Sequence, residues 1–165
     1  MAISSHAALW FAPFVWPICL WVMWSDMSRM KILNKAAMAL FVVYIAVGVF
    51  VLPFDLYLWQ LLHLVVVLVA GIALNAAGLI GAGDAKFAAA AAPFIMLGDL
   101  SLLLPLFAAN IVAAYLTHRL VRATAPLRNL APEWESWHRG KDFPMGFSLG
   151  AMLAIYLGLG IAYGS

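Results

Sequence analysis

The chain has 165 residues, of which 67% are hydrophobic and only 10% are charged, and nine basic and seven acidic residues give it a formal net charge of +2. An ordinary soluble domain is roughly 45–50% apolar and 25% charged, so this composition excludes a soluble globular protein and indicates an integral membrane protein. So few cations also exclude an extended nucleic-acid-binding surface, and the single cysteine, Cys19, excludes an internal disulfide.

Six apolar runs follow one another along the chain, near residues 8–24, 36–53, 56–79, 85–98, 100–118 and 144–163. Because a helical span needs about 20 mostly apolar residues, they predict an all-α, polytopic membrane protein with about six transmembrane helices, in one membrane-embedded domain over 1–165. The run at 85–98 is short and rich in alanine, so an alternative with five spans and a re-entrant 85–98 segment stays open. No basic residue precedes the first run, which is therefore predicted to be a retained helix and not a signal peptide.

The basic residues predict the orientation of these spans. All nine fall in alternate connections: Arg29, Lys31 and Lys35; Lys86; and Arg119, Arg122, Arg128, Arg139 and Lys141. Because cytoplasmic loops are enriched in Lys and Arg, these connections are predicted to be cytoplasmic and both termini to lie outside the cytoplasm. The longest connection, 119–143, is predicted to be a cytoplasmic basic interfacial loop whose cations contact membrane lipid.

Two aspartates lie at span boundaries on the predicted cytoplasmic side, Asp26 just after the first span and Asp84 just before the fourth. Charged groups at such positions are costly and tend to be functional. Two carboxylates that approach each other share a proton, so that one acts as an acid and the other as a base toward water and an amide bond. The structural alternatives are that Asp84 is the N-cap of the fourth helix and that Asp26 pairs with Arg29 or Lys31.

The residues around the two aspartates add two expectations. Gly81 and Gly83 leave the backbone before Asp84 without side chains, so an extended peptide is able to dock there. Helix dipoles favour a protonated Asp26, at the negative end of the first helix, and an ionised Asp84, at the positive end of the fourth.

The remaining polar residues within the spans are assigned structural roles. Interhelical hydrogen bonding is predicted for Gln60, His63, Asn75 and Asn110, and close helix packing for the small residues of the last span, including Gly146 and Gly150. The histidines show no ligand spacing, so neither a metal nor a cofactor is predicted.

Three segments together resemble the type IV prepilin peptidase family, the membrane aspartyl proteases with a Gly-x-Gly-Asp motif. They read DMSRMKILN at 26–34, GAGDAKF at 81–87 before an alanine-rich helix, and DFPMGFSLGAML at 142–153. The resemblance covers nearly the whole chain and is to the short, CpaA/TadV-like members, which lack the zinc-binding domain of larger relatives. One departure is that Leu33 stands where relatives usually have proline, which predicts a more relaxed turn before the second span.

The resemblance implies that Asp26 and Asp84 are the catalytic pair. It also implies that other motif residues support the site or bind substrate, namely Asn34, Gly81, Gly83, Lys86, Pro144 and Gly146. The implied enzyme lies in the bacterial inner membrane and removes the short basic leader of a prepilin or pseudopilin, of a type IV or Tad/Flp pilus, at the cytoplasmic face. Larger relatives also methylate the new N-terminus, but no element here demands a nucleotide site, so methylation is not predicted.

Two functions of other classes remain as alternatives. In the first, the chain is a small transporter or channel subunit in which Asp84 carries a proton or an ion and the glycine-rich turn breaks a helix. In the second, it is an assembly subunit without catalytic activity, in which neither aspartate takes part in chemistry.

Overall fold

The computed structural model describes residues 1–140 and 142–165, and within them the chain is helical without strands. The α-helices are α1 (Ser5–Arg29), α2 (Asn34–Val51), α3 (Phe54–Ala76), α4 (Ala82–Ala91), α5 (Leu100–Ala123), α6 (Ala125–Arg128) and α7 (Met145–Tyr163). Short 3-10 turns occupy Ala92–Phe94, Leu97–Asp99 and Glu135–Trp137. The predicted all-α fold is confirmed.

Five helices of the described chain are long and apolar enough to cross a membrane: α1, α2, α3, α5 with the turn before it, and α7. α1 and α7 pack along each other at the centre, and α2, α4 and α5 surround them. Large apolar side chains such as Phe50, Val69 and Leu120 point outward, as expected of helices that face lipid. The chain is therefore a polytopic membrane-embedded protein.

The bundle has two distinct ends, because α1 separates the residues before it from the residues after it. At one end, which we call the terminal end, the Met1 ammonium donates to the Tyr163 carbonyl at 3.0 Å and the Ser165 hydroxyl donates to the Met1 carbonyl at 2.8 Å. At the other, which we call the aspartate end, Asp26 meets the start of α7. The connections that contain the described basic residues all lie at the aspartate end; Lys141 lies outside the described residues.

The predicted fourth span, 85–98, is not a continuous helix. α4 has 10 residues, or about 15 Å, against a hydrocarbon thickness of about 30 Å. Pro93 ends it, because proline lacks the N–H that a helix needs and its ring clashes with the preceding turn. The predicted count of about six transmembrane helices is corrected accordingly, to five long helices and one broken segment.

The broken segment nevertheless runs from one end of the bundle to the other. Gly83 packs against Ile32 at the aspartate end, and a β-carbon built on Gly98 would lie 3.0 Å from Cβ of Ala2 at the terminal end. The alternative of a re-entrant 85–98 segment, which returns to the side where it started, is therefore wrong. Non-helical backbone is tolerated at this depth because it is buried by its neighbours, as Phe94 and Met96 are here.

Two of the predicted interhelical hydrogen bonds are confirmed. Gln60 on α3 donates from Nε2 to the Ile95 carbonyl at 3.1 Å, within the irregular stretch that follows α4. Asn110 on α5 donates from Nδ2 to the Ser148 carbonyl of α7 at 2.9 Å. Both amides satisfy carbonyl groups that water does not reach in a membrane.

The other two predicted bonds are wrong. Asn75 donates to the Ile80 carbonyl at 2.8 Å, which closes the turn at the end of its own helix instead of joining two helices. His63 lies edge-on to Trp59, and its buried Nε2 has no hydrogen-bond partner among the described residues. Sequence position placed both residues inside a span but did not reveal which side of α3 they occupy.

Glycines allow α7 to approach α1 closely, as predicted. A β-carbon on Gly150 would lie 2.9 Å from the Cys19 carbonyl oxygen and 2.9 Å from Cγ of Met23, whereas one on Gly158 would meet nothing within 4 Å. Backbone atoms of α1 therefore occupy the place of a side chain at Gly150.

We expect Gly150→Ala to lower the free energy of unfolding by about 1–3 kcal/mol, because the helices must move apart. Gly158→Ala, on the same helix, is the matched control and should be neutral or stabilising. Thermal unfolding in detergent measures both. Equal melting temperatures for the two variants would contradict the close approach of α1 and α7 at Gly150.

Candidate active site

Asp26 lies in the last turn of α1 and is buried, with 6% of its surface exposed. The Gly146 N–H, in the first turn of α7, donates to its Oδ2 at 2.6 Å. The Asp26 carboxylate therefore takes the place of an N-cap for α7, a helix whose own N-cap residue, Pro144, has no side-chain donor or acceptor. A helix start of this kind favours a negatively charged group.

The alternative in which Asp26 pairs with a neighbouring cation is not found in the described part of the chain. The Arg29 guanidinium lies over the Trp24 ring, 5.3 Å from its centroid, and Lys31 is exposed. The ion pair formed among the described residues joins Arg139 and Glu135. Within residues 1–140 and 142–165, no cation pairs with Asp26, and a backbone N–H donates to its carboxylate.

Asp84 lies in the first turn of α4 and is only partly buried. The N-cap of α4 is Gly81, so the alternative that Asp84 is itself the N-cap is wrong. Its side chain folds back toward Gly81, where an added β-carbon would lie 2.6 Å from Asp84 Oδ2. Burial raises the pKa of Asp84, and the hydrogen bond from the Gly81 backbone opposes that rise in pKa.

Ile32 lies between the start of α4 and the start of α7, where Gly83 and Gly146 face it. A β-carbon on Gly83 would lie 3.2 Å from Ile32 Cβ, and one on Gly146 would lie 2.8 Å from Ile32 Cδ1 and 2.9 Å from Asp26 Oδ2. Larger residues at either glycine would displace Ile32. The two predicted glycines thus make room for one buried apolar side chain beside the carboxylates.

The connection between α1 and α2, which carries Ile32, is held to the end of α1 by a hydrogen bond from Ser25. The Ser25 hydroxyl is fully buried and lies 3.1 Å from the carbonyl oxygens of Val22 and Lys31, between which its single proton is shared. Met30 ends α1 in the left-handed region, with φ of 50°, and its N–H donates to the Asp26 carbonyl at 2.9 Å. Sequence reasoning missed Ser25 and Ile32, although both lie inside the 26–34 motif region or directly beside it.

The structure brings the two predicted catalytic residues to the same end of the bundle, Asp26 near the end of α1 and Asp84 at the start of α4. The dipole argument for the position of the shared proton is incomplete, however. Asp26 lies in the last turn of α1, which ends at Arg29, but the start of α7 acts on the same carboxylate in the opposite direction. Helix ends therefore do not decide which aspartate keeps the proton.

The other predicted motif residues lie at the same end. Lys86 donates from Nζ to Asn34 Oδ1 at 3.1 Å, which joins the starts of α4 and α2. Beside this pair, a groove of about 440 Å³ runs along α4 between α2 and α3, lined by Ala37, Met38, Phe41, Leu64, Leu68 and Ala89. The groove is mostly apolar and begins at Asn34 and Lys86, the latter close to Asp84 along the chain.

Leu33, where relatives usually have proline, is the N-cap of α2 with φ of −76°, a value that proline also adopts. Its N–H donates no hydrogen bond among the described residues. The turn therefore keeps a proline-like backbone without the proline.

We expect Leu33→Pro to be more stable than Leu33→Ala by about 0.4–1 kcal/mol, because proline restricts the unfolded chain at a compatible site. Both variants lose the leucine side chain, so their difference isolates the backbone effect. Melting temperatures in detergent measure it. A less stable proline variant would show that the turn needs the Leu33 N–H or another conformation of Ile32.

The segment 119–143, predicted to be a basic interfacial loop, begins as a continuation of α5 as far as Ala123. The described part then turns back over the aspartate end, where Trp137 is buried and stacks on His118 with ring centroids 5.1 Å apart. Arg119 and Arg122 both donate to the Gly140 carbonyl, at 2.8 and 2.6 Å. This segment thus covers one side of the site and does more than line the membrane surface.

A third buried carboxylate was not singled out from the sequence. Asp99, at the terminal end, has 4% of its surface exposed and accepts hydrogen bonds from Ala2 N, Ile3 N and the Tyr156 hydroxyl, at 2.6, 3.1 and 2.7 Å. Its partners lie at the two ends of the chain, so no local pattern could reveal them. Because these three donors satisfy the carboxylate, Asp99 has a structural role: it joins the start of the chain to α7.

Among the described residues, no three His, Cys, Asp or Glu side chains converge on a point where a metal ion would bind. The acidic groups of the candidate site are Asp26 and Asp84, which lie at the same end of the bundle. Compared with protein-family models, with curated proteins and with solved structures, the chain matches none of them.

Proposed function

We propose that this protein is a membrane aspartic endopeptidase that removes the short basic leader of prepilin-like substrates at the cytoplasmic face of the bacterial inner membrane. The observation that carries the proposal is that Asp26 and Asp84, 58 residues apart in sequence, lie at the same end of the bundle, where Ile32 faces both Gly83 and Gly146. The substrate class rests on the family resemblance of the motifs around these aspartates.

The proposed chemistry depends on two carboxylates that are buried to different extents. Asp26 is buried and held by the Gly146 N–H, while Asp84 is partly accessible to water. We expect the pair to retain one proton over a range of pH, because the charge on one carboxylate disfavours ionisation of the other when the two approach. The ionised member removes a proton from water as it attacks the amide carbonyl, and the protonated member delivers a proton to the leaving nitrogen.

The proposed orientation places the aspartate end in the cytoplasm. The described basic residues lie in connections at that end, which the positive-inside rule assigns to the cytoplasm. A leader peptide held in the cytoplasm then meets the aspartates at the point where the hydrophobic part of the substrate enters the membrane. The groove along α4 supplies an apolar surface for that part, since it begins beside Lys86 and Asn34.

Co-expression with a candidate prepilin tests this proposal. The wild type should shift the prepilin on a gel by removing its leader, and Asp26→Ala and Asp84→Ala should each leave it uncut. Full leader removal by both variants would refute the peptidase. Cleavage retained by the Asp26 variant alone would mean that the partner acid is another residue.

A small transporter or channel subunit is the second candidate, and the break after α4 is the observation that favours it. Transporters bind ions at discontinuous helices through freed backbone groups. Here the Ile95 carbonyl accepts from Gln60, and the Met96 N–H donates to the Tyr156 hydroxyl at 3.1 Å. Because protein groups already occupy these two backbone positions, the break supports transport less well than the carboxylate pair supports hydrolysis.

A further inference from the structure

A second cavity lies at the aspartate end, between α1, α5, α7 and the segment that follows α5. It has a volume of about 290 Å³ and its wall is mostly apolar and aromatic, with Met27, Val121, Leu127, Leu130, Trp134 and Phe147 among the lining residues. That volume is at the lower limit of typical small-molecule sites, so it fits part of a lipid and not a whole one.

His118 lines this cavity and is the unusual group in it. Only 2% of its surface is exposed, and neither ring nitrogen has a hydrogen-bond partner among the described residues. Its ring stacks on Trp137 and lies edge-on to Phe143, so its contacts there are aromatic ones. A neutral imidazole carries one donor and one acceptor, and leaving both unmatched in a buried place is costly. The cavity therefore contains a buried imidazole whose two nitrogens a polar ligand would satisfy.

The charged residues near the imidazole favour a ligand with a negative charge. Arg119 and Arg122 lie on the same turn of α5 as His118, and each donates to the Gly140 carbonyl, while Arg119 also lies over the Tyr115 ring. Two cations beside an apolar cavity attract an anionic amphiphile and repel a basic peptide. Basic pockets between membrane helices on the cytoplasmic side are sites where anionic lipid headgroups bind.

We propose that this cavity binds one anionic phospholipid by its head-group end. The phosphodiester lies at Arg119 and Arg122, and the head group meets His118, whose N–H donates to an oxygen while its other nitrogen accepts from a hydroxyl. The first methylene groups of an acyl chain lie against Leu127 and Leu130. Phosphatidylglycerol has both the phosphate and the hydroxyl groups that this arrangement requires.

This site is more specific than the general attraction of a basic loop for lipid. Loop cations alone would bind any anionic surface and would not depend on a buried, uncharged ring. Dependence on His118 without a change of charge therefore distinguishes the cavity from the loop. The proposal does not rest on the proposed function.

Native mass spectrometry of the full chain tests the proposal. The protein is delipidated in detergent and placed in nanodiscs made from an equimolar mixture of phosphatidylcholine and phosphatidylglycerol. The wild type should retain one phosphatidylglycerol per chain in preference to phosphatidylcholine. Equal retention of the two lipids would overturn the proposal, and this comparison needs no variant.

Variants then locate the site. His118→Phe keeps the stacking on Trp137 but removes both nitrogens, and Arg122→Gln removes one charge. We expect each to reduce retention of phosphatidylglycerol by about tenfold, the loss expected for one hydrogen bond to a charged group. His63→Phe is the matched control, because His63 also has a buried unpartnered nitrogen but lines none of the cavities described above.

Retention by His118→Phe equal to the wild type would overturn the proposal. Displacement of the retained lipid by a basic leader peptide would also overturn it, because the cavity would then belong to the substrate. The measurement contains no cleavage step, so a failed peptidase assay and a failed lipid assay are distinguishable.

Discussion

Replacing Asp84 by asparagine is expected to reduce leader cleavage by about 10²–10⁴-fold, the usual contribution of a general acid or base. Asparagine has nearly the same size and keeps an oxygen that faces the Gly81 backbone, so α4 should keep its start. It has no proton that titrates, and the pair with Asp26 can no longer divide the acid and base roles. The measurement is the rate of leader removal from a purified prepilin in detergent.

Asp142→Asn is the matched control for this substitution. Asp142 is exposed and lies at the same end of the bundle, between Gly140 and α7. The variant removes the same charge from the same region and should cleave at the wild-type rate. Equal losses in the Asp84 and Asp142 variants would mean that cleavage depends on overall charge and not on the carboxylate pair.

The stability of the Asp84 variant should depend on pH in a defined direction. Burial raises the pKa of Asp84 above the ordinary value near 4 of an unfolded chain. Between the ordinary and the raised pKa the folded protein binds more protons than the unfolded one, so this group makes the wild type less stable as pH rises through that interval. The Asp84→Asn variant has no carboxyl group to titrate at this position, so it does not lose stability in this pH interval.

Melting temperatures at pH 4 and pH 7 measure the effect. The advantage of Asp84→Asn over the wild type should be larger at pH 7 than at pH 4. A variant that is less stable than the wild type at pH 7, or a difference that does not change with pH, would contradict the assigned direction of the pKa.

Asp99→Ala is expected to lower the free energy of unfolding by roughly 3–5 kcal/mol, the usual cost of removing one side of a buried ionic hydrogen-bond network. The substitution leaves the N–H groups of Ala2 and Ile3 and the Tyr156 hydroxyl without their acceptor. These donors tie the start of α1 to the broken segment and to α7. Chemical or thermal unfolding in detergent measures the loss.

Asp55→Ala is the matched control, because Asp55 is an exposed aspartate at the same end of the bundle. It should cost no more than about 1 kcal/mol, the contribution of a charge near a helix start. Tyr156→Phe, alone and together with Asp99→Ala, completes a double-mutant cycle. Additive losses in that cycle would contradict the contact between the Asp99 carboxylate and the Tyr156 hydroxyl.

Much of the fold could be predicted from local composition. The five long helices are apolar runs bounded by charges or turns, and the close packing of α7 on α1 follows from small residues such as Gly150. The alternation of basic connections was enough to group Asp26 and Asp84 at one end. Each of these features depends on residues that are neighbours in sequence, so the chain alone reveals them.

The rest depends on contacts between distant residues. The Gly146 N–H that holds Asp26 is 120 residues away, and the groups that satisfy the break after α4 come from α3 and α7. An alanine-rich run does not show whether a proline within it will end the helix or merely bend it, because that depends on which partners receive the freed backbone groups. The proline and the aspartate that matter most in this stretch, Pro93 and Asp99, were therefore missed.

The break after α4 also has a consequence for how the protein enters the membrane. A helix satisfies its own backbone and is inserted as it emerges from the ribosome, but residues 92–99 need the Tyr156 hydroxyl, which follows Met96 by 60 residues. Until α7 has been synthesised, the Met96 N–H lacks this acceptor, and an unsatisfied backbone group is costly in lipid. We therefore expect the broken segment to reach its final position only after α7 has joined the bundle.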